Sequence, residues 1–155
     1  MNFQISPLPL SLFSEQLISD EQTLAKIGAE WRVVDEIPGF PCRVSLEDAQ
    51  VGERVLLINF THHKVDSPYR ASGPIFVREK AQTAQCAPNV IPSMLINRTL
   101  SLRAYNASNH MVTACVVEGK CLVENIKRIF EQEAVDYLHI HNAGAGCYSC
   151  AVYRI

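Results

Sequence analysis

The chain has 155 residues, of which 48% are hydrophobic, 19% charged and 8% aromatic. Fourteen Lys and Arg against sixteen Asp and Glu leave a net charge of −2. The signs are interleaved along the chain, so the basic stripe of a nucleic-acid binder is missing. This length suits one domain that buries about 70% of its unfolded surface without help from disulfides or metal, and the apolar fraction excludes a disordered chain.

Residues 1–18 read as an extended, Pro-punctuated arm, with Pro7 and Pro9 interrupting a short apolar run. No Lys or Arg precedes Lys26, so the basic start of a signal peptide is absent, and no stretch approaches the roughly 18 apolar residues of a membrane span. The expected location is the cytoplasm, with no membrane partner. The six cysteines are then expected to be reduced.

Ser19-Asp20-Glu21-Gln22 has the form of a capping box with Ser19 as the cap, and the helix it opens is expected to stop at Gly28. Trp31 to Ile37 suits a strand, and Pro38-Gly39-Phe40-Pro41 a rigid turn from which Cys42 and Arg43 emerge. The Val-Leu-Leu-Ile run from Arg54 to Phe60 predicts a buried strand. Residues 61–73 read as a polar loop, and Pro74 to Arg78 as another strand. Pro92 opens one helical turn through Ile96.

Thr99 to Tyr105 alternates, with Leu100, Leu102 and Ala104 on one face and Thr99, Ser101, Arg103 and Tyr105 on the other. It pairs with His110 to Val117 across the turn 106–109. Lys120 to Ala134 carries an apolar stripe of Leu122, Val123, Ile126, Ile129 and Phe130, as a helix does. Asp136 to His141 and Cys147 to Arg154 form a last hairpin. Strands outnumber helices and are mostly joined by turns, so the expected fold is α+β: a mainly antiparallel sheet with two helices, in a single domain over residues 1–155.

The densest chemistry lies in the last hairpin. His139 and His141 share one face of a strand and can present two imidazoles together. Cys147 and Cys150 have the spacing of a thiolate pair, so His139, His141, Cys147 and Cys150 form an alternative metal set, with zinc as the cofactor such ligands suit. In a regular strand residues three apart face opposite sides, which argues against both cysteines joining the histidines. The same cluster reads as catalytic: His139 or His141 as acid or base, and Cys147 as a nucleophile with a lowered thiol pKa.

A second constellation is the loop at 66–78. Tyr69, Arg70, Ser72 and the Gly73 amide could cradle a carboxylate or phosphate, although Arg70 could equally pair with Asp66. Arg43 emerges from the Pro-rich turn, and Arg103 lies on the polar face of its strand; both are further candidate anion ligands. The adjacent His62 and His63 face opposite sides if extended and carry little information. The leading expectation is a small-molecule site for an anionic ligand, with catalytic His139, His141 and Cys147 and ligand-binding Arg43, Tyr69, Arg70, Ser72 and Arg103. This requires the Pro-rich turn, the Tyr69–Arg70 loop and the last hairpin to converge. The alternatives are a non-catalytic protein-interaction module and a metal-binding protein. No sequence feature bears on the oligomeric state.

Five segments carry a resemblance. Pro-Gly-Phe-Pro-Cys-Arg-Val-Ser-Leu (38–46), Gly-Glu-Arg-Val-Leu-Leu (52–57), Ser-Pro-Tyr-Arg-Ala-Ser-Gly-Pro-Ile-Phe-Val-Arg (67–78), Leu-Ser-Leu-Arg-Ala-Tyr (100–105) and His-x-His-Asn-Ala-x-x-Gly-Cys-Tyr (139–148) resemble the bacterial domain of unknown function DUF1203. The resemblance spans essentially the whole chain and implies a freestanding, soluble bacterial protein. It implies no established activity, substrate, cofactor or catalytic residue.

Overall fold

Period-2 hydrophobicity and the turns between strands produce two antiparallel sheets in a computed structural model that covers residues 1–155. The five-stranded sheet has the order β1 (Phe3–Ser6), β8 (Tyr148–Arg154), β7 (Tyr137–Asn142), β5 (Thr99–Tyr105), β6 (Met111–Glu118). The three-stranded sheet has the order β2 (Glu30–Val33), β3 (Arg54–His63), β4 (Ala71–Arg78). Short helices α1 (Ser14–Leu17), α2 (Glu21–Lys26) and α3 (Ser93–Ile96) punctuate the connections, and α4 (Leu122–Phe130) is the longest. The α+β expectation is met, and no helix is long and apolar enough to cross a membrane.

The two faces of the large sheet differ sharply. Leu100, Leu102 and Ala104 of β5, Leu138 and Ile140 of β7, and Cys150 and Val152 of β8 pack with Leu122, Ile126, Ile129 and Phe130 of α4 in a 17-residue core. Pairing of Arg103 with His139 and of Ser101 with His141 puts these side chains together on the opposite face. A second core of 12 residues, including Leu56, Ile58, Ile75, Val77 and Tyr148, lies beneath the small sheet. The end of β3 and the start of β8 meet over the polar face.

Four local expectations are corrected. Residues 1–18 are not a plain arm: the alternating Phe3 and Ile5, each 1% exposed, make β1 an edge strand paired with β8, and Leu10–Phe13 and α1 are helical turns. The helix cap is Asp20, whose carboxylate accepts from the Thr23 amide at 2.7 Å, because the Ser19 hydroxyl donates instead to the Glu15 carbonyl. The helix expected over 120–134 is shorter, since a 3-10 turn at Gly119–Cys121 precedes it and it ends at Phe130. The loop expected over 61–73 shrinks to 64–70, because β3 runs on to His63 and β4 begins at Ala71, with a register shift between Phe60 and His63.

Candidate metal centre

That extension of β3 builds the site. Leu56, Ile58 and Phe60 alternate toward the second core, and His62 continues the alternation onto Tyr148, with rings stacked 5.1 Å apart at 7°. β7 brings His139 and His141 to the same place from the other sheet. One ligand atom from each of His62, His139 and His141 can be chosen so that all lie within 4.8 Å of one another. His139 and His141 are 4% and 0% exposed.

Each of the three imidazoles has a buried nitrogen with no hydrogen-bond partner: Nδ1 of His62, Nδ1 of His139 and Nε2 of His141. Buried polar atoms are normally paired, so three orphans in one cluster are unusual. The tautomer of His141 is set locally: its Nδ1 donates to the Gly146 carbonyl at 2.9 Å, which leaves the Nε2 lone pair free. His63 differs. Its Nδ1 lies 2.7 Å from the Tyr69 carbonyl and its Nε2 2.6 Å from the Tyr137 hydroxyl, so both nitrogens are engaged. It buttresses the cluster, 5.0 Å from His139 by ring centroid.

The electrostatics follow from burial. Desolvation, helped by the neighbouring imidazoles and by Arg103, pushes His139 down to about 2. Desolvation also brings His62 and His141 to about 4; at His141 the bond to Gly146 opposes the shift. All three are therefore neutral near pH 7, as metal ligation requires. Burial thus holds His139 and His141 in the neutral form at a pH where a free histidine is still partly protonated. Metal–nitrogen bonds of roughly 2.0–2.1 Å would place tetrahedral ligand atoms about 3.4 Å apart, a separation that lies within the 4.8 Å limit of this cluster. An ion held by these three neutral ligands would have a coordination position left for water or an anion. Arg103 lies beside the cluster, its charge acting on all three histidines. The ion pairs of the chain are made by Arg32, Arg54, Arg78 and Arg98, and Arg103 takes no part in them.

The remaining candidates are dispersed. Cys150 does not join the histidines: it lies in the core on the α4 side of the sheet, where burial pushes its thiol up to about 12. Cys147 sits in the hairpin loop, its sulfur accepting from the Asn142 side-chain amide at 3.3 Å and facing Arg43 rather than an imidazole. Cys147 and Cys150 thus do not join His139 and His141 in one four-residue group; the side chain that does join them is His62. The expected convergence of three segments is met only in part. The Pro-rich turn and the last hairpin share a pocket containing Arg43 and Cys147, which Tyr69, Arg70 and Ser72 do not line. Arg70 and Ser72 are exposed, and Arg70 forms no ion pair with Asp66. Tyr69 reaches the cluster indirectly, through its carbonyl on His63 and its ring on Tyr105, which packs against His139. As one of two adjacent histidines in a polar segment, His62 carries little information in the sequence; the parity it shares with Leu56, Ile58 and Phe60 is the available signal.

No curated protein and no solved structure matches this chain. A family model does match, described as a protein of unknown function, over residues 39–154. That span includes Arg43, His62, Arg103, His139, His141 and Cys147, and the chain belongs to the DUF1203 family.

Proposed function

We propose that the protein binds a divalent transition metal through His62, His139 and His141 and holds a small anionic ligand at the open position, with Arg103 beside it. The observation that carries this reading is the set of three unpaired, buried ring nitrogens in one cluster. Three neutral imidazoles suit zinc, and also iron, copper or nickel. They leave the full charge of the ion uncompensated, which favours an anion or hydroxide as the remaining ligand, and Arg103 adds to that preference. A metal so held acts as a Lewis acid on what it binds. This chain's part is to orient the imidazoles, through Gly146 on His141 and Tyr148 on His62, and to keep bulk water from His139.

Elemental analysis of the untagged protein tests the reading, with His62→Ala and His139→Ala alongside. About one metal per chain is expected, with loss in both variants. In the cobalt-loaded protein, azide or acetate should perturb the visible spectrum, and Arg103→Leu should weaken that response while leaving metal content unchanged. A protein isolated without metal that also takes up neither zinc nor cobalt on titration overturns the proposal.

A further inference from the structure

A second polar site lies at the Asn142 end of β7 and is built from different residues. A pocket of about 450 Å³ opens between the Pro-rich turn and the hairpin loop 143–147, with Pro41, Arg43, Phe76, Asn142 and Cys147 in its wall. Arg43 is the unusual member. It is 1% exposed and is the largest of the fully buried side chains. Its Nε donates to the Tyr148 carbonyl at 2.7 Å and its Nη1 to the Pro41 carbonyl. These neutral oxygens orient the guanidinium without balancing its charge; the Cys147 sulfur faces it, and no carboxylate of the chain pairs with it. A buried arginine stays protonated, and a buried charge is costly unless something of opposite sign meets it.

The other arginine of the pocket shows the contrast. Arg98 grips the Asp48 carboxylate with two nitrogens, at 2.5 and 3.0 Å, and its charge is compensated inside the chain. Arg43 has no such carboxylate, and the pocket wall beside it carries further N–H groups. The Asn142 amide points at Cys147 Sγ, and the amides of Gly144, Ala145 and Cys147 form no backbone hydrogen bond. Guanidinium, side-chain amide and loop amides together make a surface for an oxyanion.

We infer that this pocket binds a small ligand through a carboxylate or phosphate on Arg43, with the Cys147 sulfur beside the bound group. The site is separate from the three histidines and stands whether or not they hold a metal.

Iodoacetate probes the geometry directly. Its carboxylate on Arg43 brings the carbon bearing iodine to Cys147; the sulfur forms the new C–S bond, iodide leaves with the electron pair of the C–I bond, and the thiol proton passes to solvent. Folded protein is treated with limiting iodoacetate or neutral iodoacetamide, and modification at each cysteine is read by peptide mass spectrometry. The exposed Cys121 serves as the internal reference. The iodoacetate-to-iodoacetamide rate ratio at Cys147 should exceed that at Cys121 by about tenfold, a discrimination of about 1.4 kcal/mol. Millimolar acetate or inorganic phosphate should slow Cys147 alone, and which of the two does so identifies the preferred anion. Arg43→Gln should lower the Cys147 ratio to that of Cys121, whereas Arg43→Lys should keep most of it. If Arg43→Gln fails to fold, the wild-type ratio and the competition decide. Chelator-treated protein should behave as untreated protein does. Equal ratios at Cys147 and Cys121 in the wild-type protein, with no slowing by either anion, overturn the inference.

Discussion

Histidine in water loses its proton near pH 6.5, whereas His62 and His141 are pushed down to about 4 and His139 to about 2 by burial. The same residue type is thereby turned from a proton carrier into a set of lone pairs. The shift also has a consequence for stability. In the unfolded chain these imidazoles take up protons as the pH falls through about 6.5; in the folded, metal-free chain they do not. The unfolded state then binds more protons, so stability rises with pH across this window and is lost as the pH falls below about 6.5. The carboxylates whose folded pKa is lowered, Asp20 at its helix cap and Glu53 and Glu79 with their arginine partners, act near and below 4.5 and so largely outside it. Chelator-treated protein should therefore unfold at a lower temperature at pH 5 than at pH 7.5, and His139→Asn should lose less over the same interval. A midpoint that is flat or rises toward pH 5 would contradict the burial argument.

Among the elements, the turn from β6 into α4 is the most tightly fitted. Gly119 donates its amide to the Arg98 carbonyl at 2.8 Å, and a Cβ at this position would lie 1.8 Å from the Leu95 carbonyl oxygen and 2.6 Å from that of Ile96. These are backbone atoms of α3 and the residues that follow it, and they cannot swing aside as a flexible side chain would. Gly119→Ala should cost about 3 kcal/mol, the upper end for overpacking, and lower the melting midpoint by roughly 6–12 °C; a loss of under a degree would show that the α3–α4 junction is soft. Nothing in the sequence marks Gly119, since a glycine between a strand and a helix reads as an ordinary connector. The elements set by strict periodicity were legible: β5 with its apolar Leu100, Leu102 and Ala104, the hairpins, and the stripe of α4. Those set by tertiary pairing were harder to see. β1 is only four residues long and gains its strand partners from β8, the opposite end of the chain. β3 continues through the polar Thr61, His62 and His63 because a polar face, rather than an apolar one, receives them.

At the scale of the molecule the two sheets bring the site together, and this is why only part of it could be read from sequence. His139-x-His141 is a local pattern, legible from period 2 alone, whereas His62 joins it across 77 positions through the packing of β3 over β7 and β8. The cysteines, close in sequence to His141, are directed elsewhere by the pleat and the loop. The arrangement also means that a bound ion would be tied to both sheets at once, through His62 on one and His139 and His141 on the other. A ligand held by the native state and not by the unfolded chain stabilises in proportion to its saturation: free zinc at 100 times the dissociation constant adds about 2.7 kcal/mol, or roughly 5–11 °C in the midpoint for a chain of this size. Melting curves of chelator-treated protein, with and without zinc at neutral pH, should show that rise. His62→Ala should abolish it even though both imidazoles of β7 remain, because two ligands hold the ion far more weakly than three and the same zinc no longer saturates the site. A zinc-induced rise that survives in His62→Ala would place the metal on β7 alone and remove the three-stranded sheet from the site.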